Sequence, residues 1–195
     1  MQYLIDSTAS MGIETKNISS ILIQHSQQLY ETYSNYDFQF GFVYYNDPID
    51  VISEYNHYYN LTKDINQLGQ YCDNCQNQGG GDMAEDWVGG YNLSLYKIKW
   101  RNGKRIIIHI CDSPAHGKKY SKDSDDNHKD KKFELELDDM MKKCAEKNIE
   151  IIGIYKDDSA KYCFEECKKI YDKNRGKSFV IQFYNQNSPF PFDLI

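Results

Sequence analysis

The sequence predicts an α/β domain built on a mostly parallel central sheet of about six strands, with one antiparallel strand at its edge. Three observations carry that prediction. Short apolar runs alternate repeatedly with long amphipathic segments, the pattern of strands joined by helical crossovers. The segments "KRIIIHIC" and "IEIIGIY" are almost continuously apolar, as strands buried on both faces are. The chain has 195 residues, a length that fits one domain over residues 1–195.

Taken in order, "QYLI" (residues 2–5) is the first strand. "IETKNISSILIQHSQQLYETYS" places Ile18, Ile21, Leu22 and Leu29 near helical spacing and reads as the first helix. "FQFGFVYYND" alternates and then runs apolar as a second strand, and "DVISEYNHYY" reads as the third, antiparallel at the edge. Thr62 is read as the cap of a short helix through Leu68. A glycine-rich loop, "NQGGGD", then leads into a helix beginning near Met83, with Trp87, Tyr91, Leu95 and Ile98 on one face and Gly89 and Gly90 interrupting it. "KRIIIHICDSPAHG" is a buried strand that stops at Asp112 and breaks at Pro114. Residues 118–132 are so charged that they are expected to form an exposed loop. Helix "FELELDDMMKKCAEKN", strand "IEIIGIY", helix "SAKYCFEECKKIYDKN" and strand "SFVIQFY" complete the chain, with no internal repeat.

Composition excludes several classes of function. Lys and Arg total 23 against 29 Asp and Glu, a net charge of -6 that repels phosphate backbones, so nucleic acid is not an expected partner. No run approaches the roughly 20 apolar residues of a membrane span, and the start lacks the basic and apolar regions of a signal peptide. A cytoplasmic location is therefore expected, although the abrupt start at a strand also suits a fragment of something longer. Six cysteines are present, with Cys72 and Cys75 in a lone CxxC. A four-thiolate zinc site would need a second pair, for which Cys163 and Cys167 are the candidates; otherwise all six are ordinary reduced thiols.

In an open parallel sheet, ligands bind beyond the C-terminal strand ends, where neighbouring crossovers leave in opposite directions. Asp6, Ser7, Thr8 and Ser10 follow the first strand, Asp112 follows the "IIIHIC" strand, and the "GGGD" loop can bring Asp82 to the same crevice. All of these offer hard oxygen, which suits Mg²⁺, with Mn²⁺ or Ca²⁺ as alternatives. In a tight turn, residues 6, 8 and 10 can point at one centre. The plainer alternative is that the Asp-Ser-Thr run only caps a helix, and that "GGGD" is only a turn with its own cap.

"YLIDSTASMG" resembles the Asp-x-Ser-x-Ser metal-ion-dependent adhesion motif of von Willebrand factor type A (vWA) domains, with Thr8 in the middle hydroxyl position. "FQFGFVYYND", "GGGDMAEDWVGGYNLSL", "KIKWRNGKRIIIHICDSPAHGKKY" and "LDDMMKKCAEKNIEIIGIY" are similar, in the same order, to the vWA domain of atypical alpha-protein kinases of the von Willebrand type. The resemblance implies a three-layer Rossmann-like fold, helices on both faces, and one divalent metal held by Asp6, Thr8, Ser10, Asp82 and Asp112. It departs where many vWA domains place a neutral threonine: Asp82 stands there, and with Asp6, Asp112 and Mg²⁺ it would leave the site at -1, holding its cation firmly and attracting an external carboxylate less. No kinase catalytic domain fits within the chain.

The function expected is therefore a non-catalytic, metal-dependent module whose open coordination position accepts an acidic side chain of a partner protein. A regulatory or scaffolding relative of the alpha-kinase accessory domain is the alternative. A Mg²⁺-dependent phosphohydrolase is a weaker rival, because such enzymes need a second acid two residues after the first and Thr8 stands there. His116 is expected to be a hydrogen-bonded loop histidine rather than a general base, and His128 to be solvent-exposed.

Overall fold

The computed structural model describes residues 1–47, 56–75, 77, 79–122 and 126–184. Its sheet has six strands, β1 (Gln2–Asp6), β2 (Phe40–Tyr45), β3 (His57–Thr62), β4 (Arg105–Cys111), β5 (Ile149–Tyr155) and β6 (Phe179–Phe183). They lie in the order β3-β2-β1-β4-β5-β6. β3 pairs antiparallel with β2 at one edge, and every other pairing is parallel.

The strands read as apolar runs because both faces are covered. Tyr3 and Ile5 join Ile18, Leu22 and Leu29 of α1 (Gly12–Thr32) and Leu68 of α2 (Ile65–Asp73) on one face. Leu4, between them, points to the other, with Trp87, Tyr91 and Leu95 of α3 (Trp87–Tyr96), Leu137 and Met141 of α4 (Lys131–Glu146), and Phe164 and Tyr171 of α5 (Asp158–Lys173). The result is a three-layer mixed α/β, Rossmann-like architecture. Among the described residues no helix is long and apolar enough to cross a membrane.

Four local expectations change. The edge strand runs from His57 to Thr62, later than "DVISEYNHYY" suggests, and residues 48–55 of that prediction lie outside the described residues. Thr62 ends β3 instead of capping a helix; Asp64 caps α2, its Oδ1 accepting the backbone N–H groups of Asn66 and Gln67. The helix after the glycines starts at Trp87 rather than Met83, because the Asp86 side chain accepts the N–H of Gly89 and Asn46 O accepts the N–H of Asp86 itself. In the charged segment 118–132, residues 123–125 lie outside the described residues, and among the rest Tyr120, Ser121 and Asp126 are buried, not exposed. Charge alone misreads that segment because Tyr120 fills the core beneath α4 and donates its hydroxyl to Asp138.

The sheet also separates the cysteine pairs. Cys72 and the partly buried Cys75 pack on the α1–α2 side, while Cys163 and Cys167 lie on the α4–α5 side. The two pairs therefore cannot close one four-thiolate site, and all six cysteines are free thiols. Burial raises the pKa of Cys72 and pushes that of Cys75 up to about 12.

Gly41 in β2 is required by close approach. A Cβ there would lie 2.7 Å from the Tyr59 carbonyl oxygen, where the β2–β3 register shifts. Backbone cannot swing away as a side chain can. Gly41→Ala is expected to cost about 1–3 kcal/mol, measured as a lower urea midpoint at unchanged slope.

Candidate metal centre

β1 sits between β2 and β4, so crossovers leave it in opposite directions and open a crevice at the C-terminal end of β1 and β4. Asp6 is the last residue of β1, and Asp112 follows the last residue of β4. Ser7 turns away, its backbone N–H and its hydroxyl both donating to the Tyr45 carbonyl at 2.9 and 3.0 Å, and its hydroxyl also reaching the Asn46 side chain.

From Asp6 a chain of short contacts runs outward to solvent. Asp6 Oδ1 accepts the Thr8 N–H at 2.9 Å and the Thr8 hydroxyl at 2.7 Å. The Thr8 and Ser10 hydroxyls lie 3.0 Å apart, and the Ser10 hydroxyl donates to Asp112 Oδ1 at 3.2 Å. Asp6 and Thr8 are buried whereas Ser10 is exposed, so the chain runs from the sheet to the crevice mouth. The Thr8 N–H on Asp6 makes the local turn that the capping alternative anticipates. Yet Asp6 Oδ2, also buried, has no hydrogen-bond partner among the described residues. Burial, reinforced by the nearby charge of Asp112, pushes the Asp6 pKa up to about 7. Burial also raises the Asp112 pKa, against the hydroxyls of Ser113 and Ser10 and the charge of Lys156.

Asp82 is the exception among the five expected ligands. Its Oδ1 accepts the Ala84 N–H at 3.0 Å and its Oδ2 the Asn127 N–H at 2.7 Å. It has no place in the hydrogen-bonded chain from Asp6 to Asp112 and clusters with His116 and Asp126. Glu85, three residues on, is only 2% exposed. The Glu85 N–H donates to the Pro114 carbonyl at 2.9 Å, and Glu85 forms a parallel bridge with Ala115, tying the second loop to the third. Its side chain and Thr8 both border Gly80, whose φ of +95° suits glycine: an added Cβ would meet Glu85 Oε1 at 3.5 Å and Thr8 Cβ at 3.6 Å. Among the described residues Glu85 Oε2 has no hydrogen-bond partner, and burial followed by the charge of Asp6 raises the Glu85 pKa far above the ordinary carboxyl range. The run "GGGDMAED" holds three acids, and sequence reasoning takes only the first of them.

Two buried carboxyl oxygens without donors, beside hydroxyls and a further carboxylate, make a hard-oxygen set with an unmet need for positive charge. That set fits Mg²⁺ or Mn²⁺. His116 is the hydrogen-bonded loop histidine expected, with Nδ1 3.0 Å from Asp126 Oδ1. His128 differs from expectation: it is half-buried, its ring 5.0 Å from that of His116 and 5.3 Å from that of Phe133, because Asp126 anchors its backbone N–H at 2.8 Å.

Fold and crevice together define the class as a Rossmann-like α/β domain with a cluster of acidic and hydroxyl groups at its switch point. Among solved structures the fold is similar to the pilus adhesin SpaC of Lactobacillus rhamnosus GG in its open conformation, with TM-score 0.61 and 12% identity over 95% of this chain and 27% of that one. It is also similar to proximal thread matrix protein 1 of the mussel byssus, with TM-score 0.55 and 13% identity over 94% of this chain and 42% of that one. No protein-family model matches the sequence. In sequence, the chain is 30% identical over 148 residues, 75% of its length, to the alpha-protein kinase vwkA of Dictyostelium discoideum. It spans 23% of that curated relative.

Proposed function

We propose that this chain is a vWA-type recognition module that binds Mg²⁺, with Mn²⁺ or Ca²⁺ as substitutes, through Asp6, Thr8, Ser10 and Asp112, and takes up an acidic side chain of a partner protein. The observation that carries the reading is Asp6 Oδ2, buried at the sheet's switch point with no donor. Glu85, buried beside Gly80 with an unanswered Oε2, supports the reading with a further carboxylate from the second loop. A bound cation supplies a Lewis-acidic coordination position open to a carboxylate. Asp6 and Asp112 neutralise its two charges, and the Thr8 and Ser10 hydroxyls orient those carboxylates without adding charge. Thr8, by not being an acid, also favours binding over phosphohydrolase chemistry. Six free thiols suit a cytoplasmic setting.

A second reading shares the site and differs in role. The similarity to an alpha-protein kinase favours a regulatory or scaffolding relative of a kinase accessory domain. Pull-downs from lysate with the wild type, with EDTA and with Asp112→Ala test metal-mediated recognition. Partners are expected to be retained only by the wild type with divalent cation present. Equal retention in all three conditions overturns the proposal.

A further inference from the structure

Beside the Asp6–Asp112 crevice lies a second polar cluster with different chemistry. The His116 side chain is 1% exposed, and its two nitrogens meet contrasting surroundings. Nδ1 lies 3.0 Å from Asp126 Oδ1, and Asp126 is fixed in turn by the N–H groups of Gly117 at 2.9 Å and His128 at 2.8 Å. A carboxylate so held keeps a proton on Nδ1 and leaves the lone pair on Nε2, the arrangement that orients metal-ligating histidines. Nε2 has no hydrogen-bond partner among the described residues and faces Asp47 Oδ1 at 3.6 Å.

A lone pair facing a carboxylate oxygen sets two acceptors against each other, an arrangement that a positive charge would relieve. The 3.6 Å gap is long for a hydrogen bond but close to the roughly 3.3 Å that separates two ligands on a tetrahedral Zn²⁺. Asp82 belongs to the same cluster: one ligand atom each from Asp82, His116 and Asp126 lies within 4.8 Å of the others. The Asp47 carboxylate is positioned by the N–H of Gly81 on its Oδ2 at 3.0 Å, in the loop that also carries Asp82. Three carboxylates thus surround one imidazole.

We propose that His116 Nε2, Asp47 and Asp82 form a second divalent-cation site, with Asp126 as the positioning residue behind the histidine. Imidazole with carboxylates selects Zn²⁺ or Mn²⁺ over Mg²⁺, so this site differs in metal from the oxygen-only crevice next to it. It also gives a role to Asp82, whose hydrogen bonds go to Ala84 and Asn127 and not to the Asp6–Asp112 chain. The proposal stands independently of the function proposed above. Its rival is a proton: burial disfavours charging His116, but Asp47 and Asp126 together raise its pKa, and an imidazolium would answer the same two carboxylates.

Titration of the full chain with Co²⁺ alone, as a coloured stand-in for Zn²⁺, decides between them. The wild type is expected to bind Co²⁺ with visible bands of a nitrogen-ligated ion, and His116→Gln to lose those bands and one equivalent. Asp112→Asn is expected to keep them, which separates this site from the crevice. Asp126→Asn should weaken binding about 10–100-fold, as loss of an orienting carboxylate does. Should His116→Gln fail to fold, Asp82→Asn, which retains an oxygen for the Ala84 N–H, should still weaken binding at least as much. Co²⁺ binding unchanged in these variants, bands that vanish in Asp112→Asn, thiolate charge-transfer absorption alone, or a nitrogen NMR signal of His116 Nε2–H that Zn²⁺ leaves in place would each overturn the site.

Discussion

In EDTA, the protein should lose stability as pH rises from about 4 towards 7, and saturating Mg²⁺ should reverse that trend. The Asp6 pKa stands near 7 in the fold against an ordinary 3.8, through burial first and the charge of Asp112 second. Between those values the folded state holds a proton that the unfolded state has released. The stabilisation is thus complete below about 4 and lost as pH rises through 7. Glu85 and Asp112, both also raised, act in the same direction, as does His116. Asp126, whose pKa is lowered despite its burial, contributes oppositely but titrates below this window. A tenfold difference in proton affinity between the folded and unfolded states is worth about 1.4 kcal/mol, so the loss should be on the order of a few kcal/mol. A cation binds the ionised carboxylates and adds stability of about 2.7 kcal/mol at a hundredfold excess over its Kd. Thermal melts at pH 5, 6, 7 and 8, with EDTA or Mg²⁺, should therefore diverge as pH rises. Asp6→Asn should make the EDTA profile shallower and remove most of the Mg²⁺ response. Superimposable wild-type profiles would count against a cation at Asp6.

What the sequence made legible follows from which signals are local. β1, β4, β5 and β6 lie within a residue or two of where their apolar runs place them, because continuous burial leaves little freedom in reading them. The loop acids after β1 and β4 were legible for a related reason: a strand end fixes where the next residues point. The "GGGDMAED" loop was not. How Asp82, Glu85 and Asp86 are placed depends on a backbone bridge from Glu85 to Ala115, thirty residues on, and no local spacing encodes that pairing. Asp86 resolves as a helix cap through Gly89, Asp82 is held by Ala84 and Asn127, and Glu85 borders Gly80 on the side of the first loop. The segment 118–132 misleads for the opposite reason. Its charge is real, but Tyr120 and Asp126 fold inward, the latter because three donors replace its water.

The largest loss of stability from a single side chain is expected at Trp87, and it should reach the crevice as well. Trp87 is fully buried, its ring centroid 4.3 Å from that of His109 and 4.6 Å from that of Phe164. His109 is itself fixed by the hydroxyls of Tyr45 at 2.8 Å and Tyr91 at 3.2 Å, so neighbouring groups cannot readily collapse into a vacated space. Trp87→Ala should cost about 3–5 kcal/mol, the range for large-to-small changes in a rigid core. For a domain of this size that lowers Tm by on the order of 10 °C. The indole Nε1–H also donates to the Ser113 carbonyl at 3.2 Å, next to Asp112, so the ring anchors the third loop from below. Trp87→Phe separates the two roles, because it keeps much of the apolar volume and removes only the anchor. Urea unfolding should find it less damaging than Trp87→Ala, while Mg²⁺ titration of the folded variant should find weakened binding. Wild-type affinity in Trp87→Phe would mean that the loop holds Asp112 in place through Glu85 and Pro114 alone.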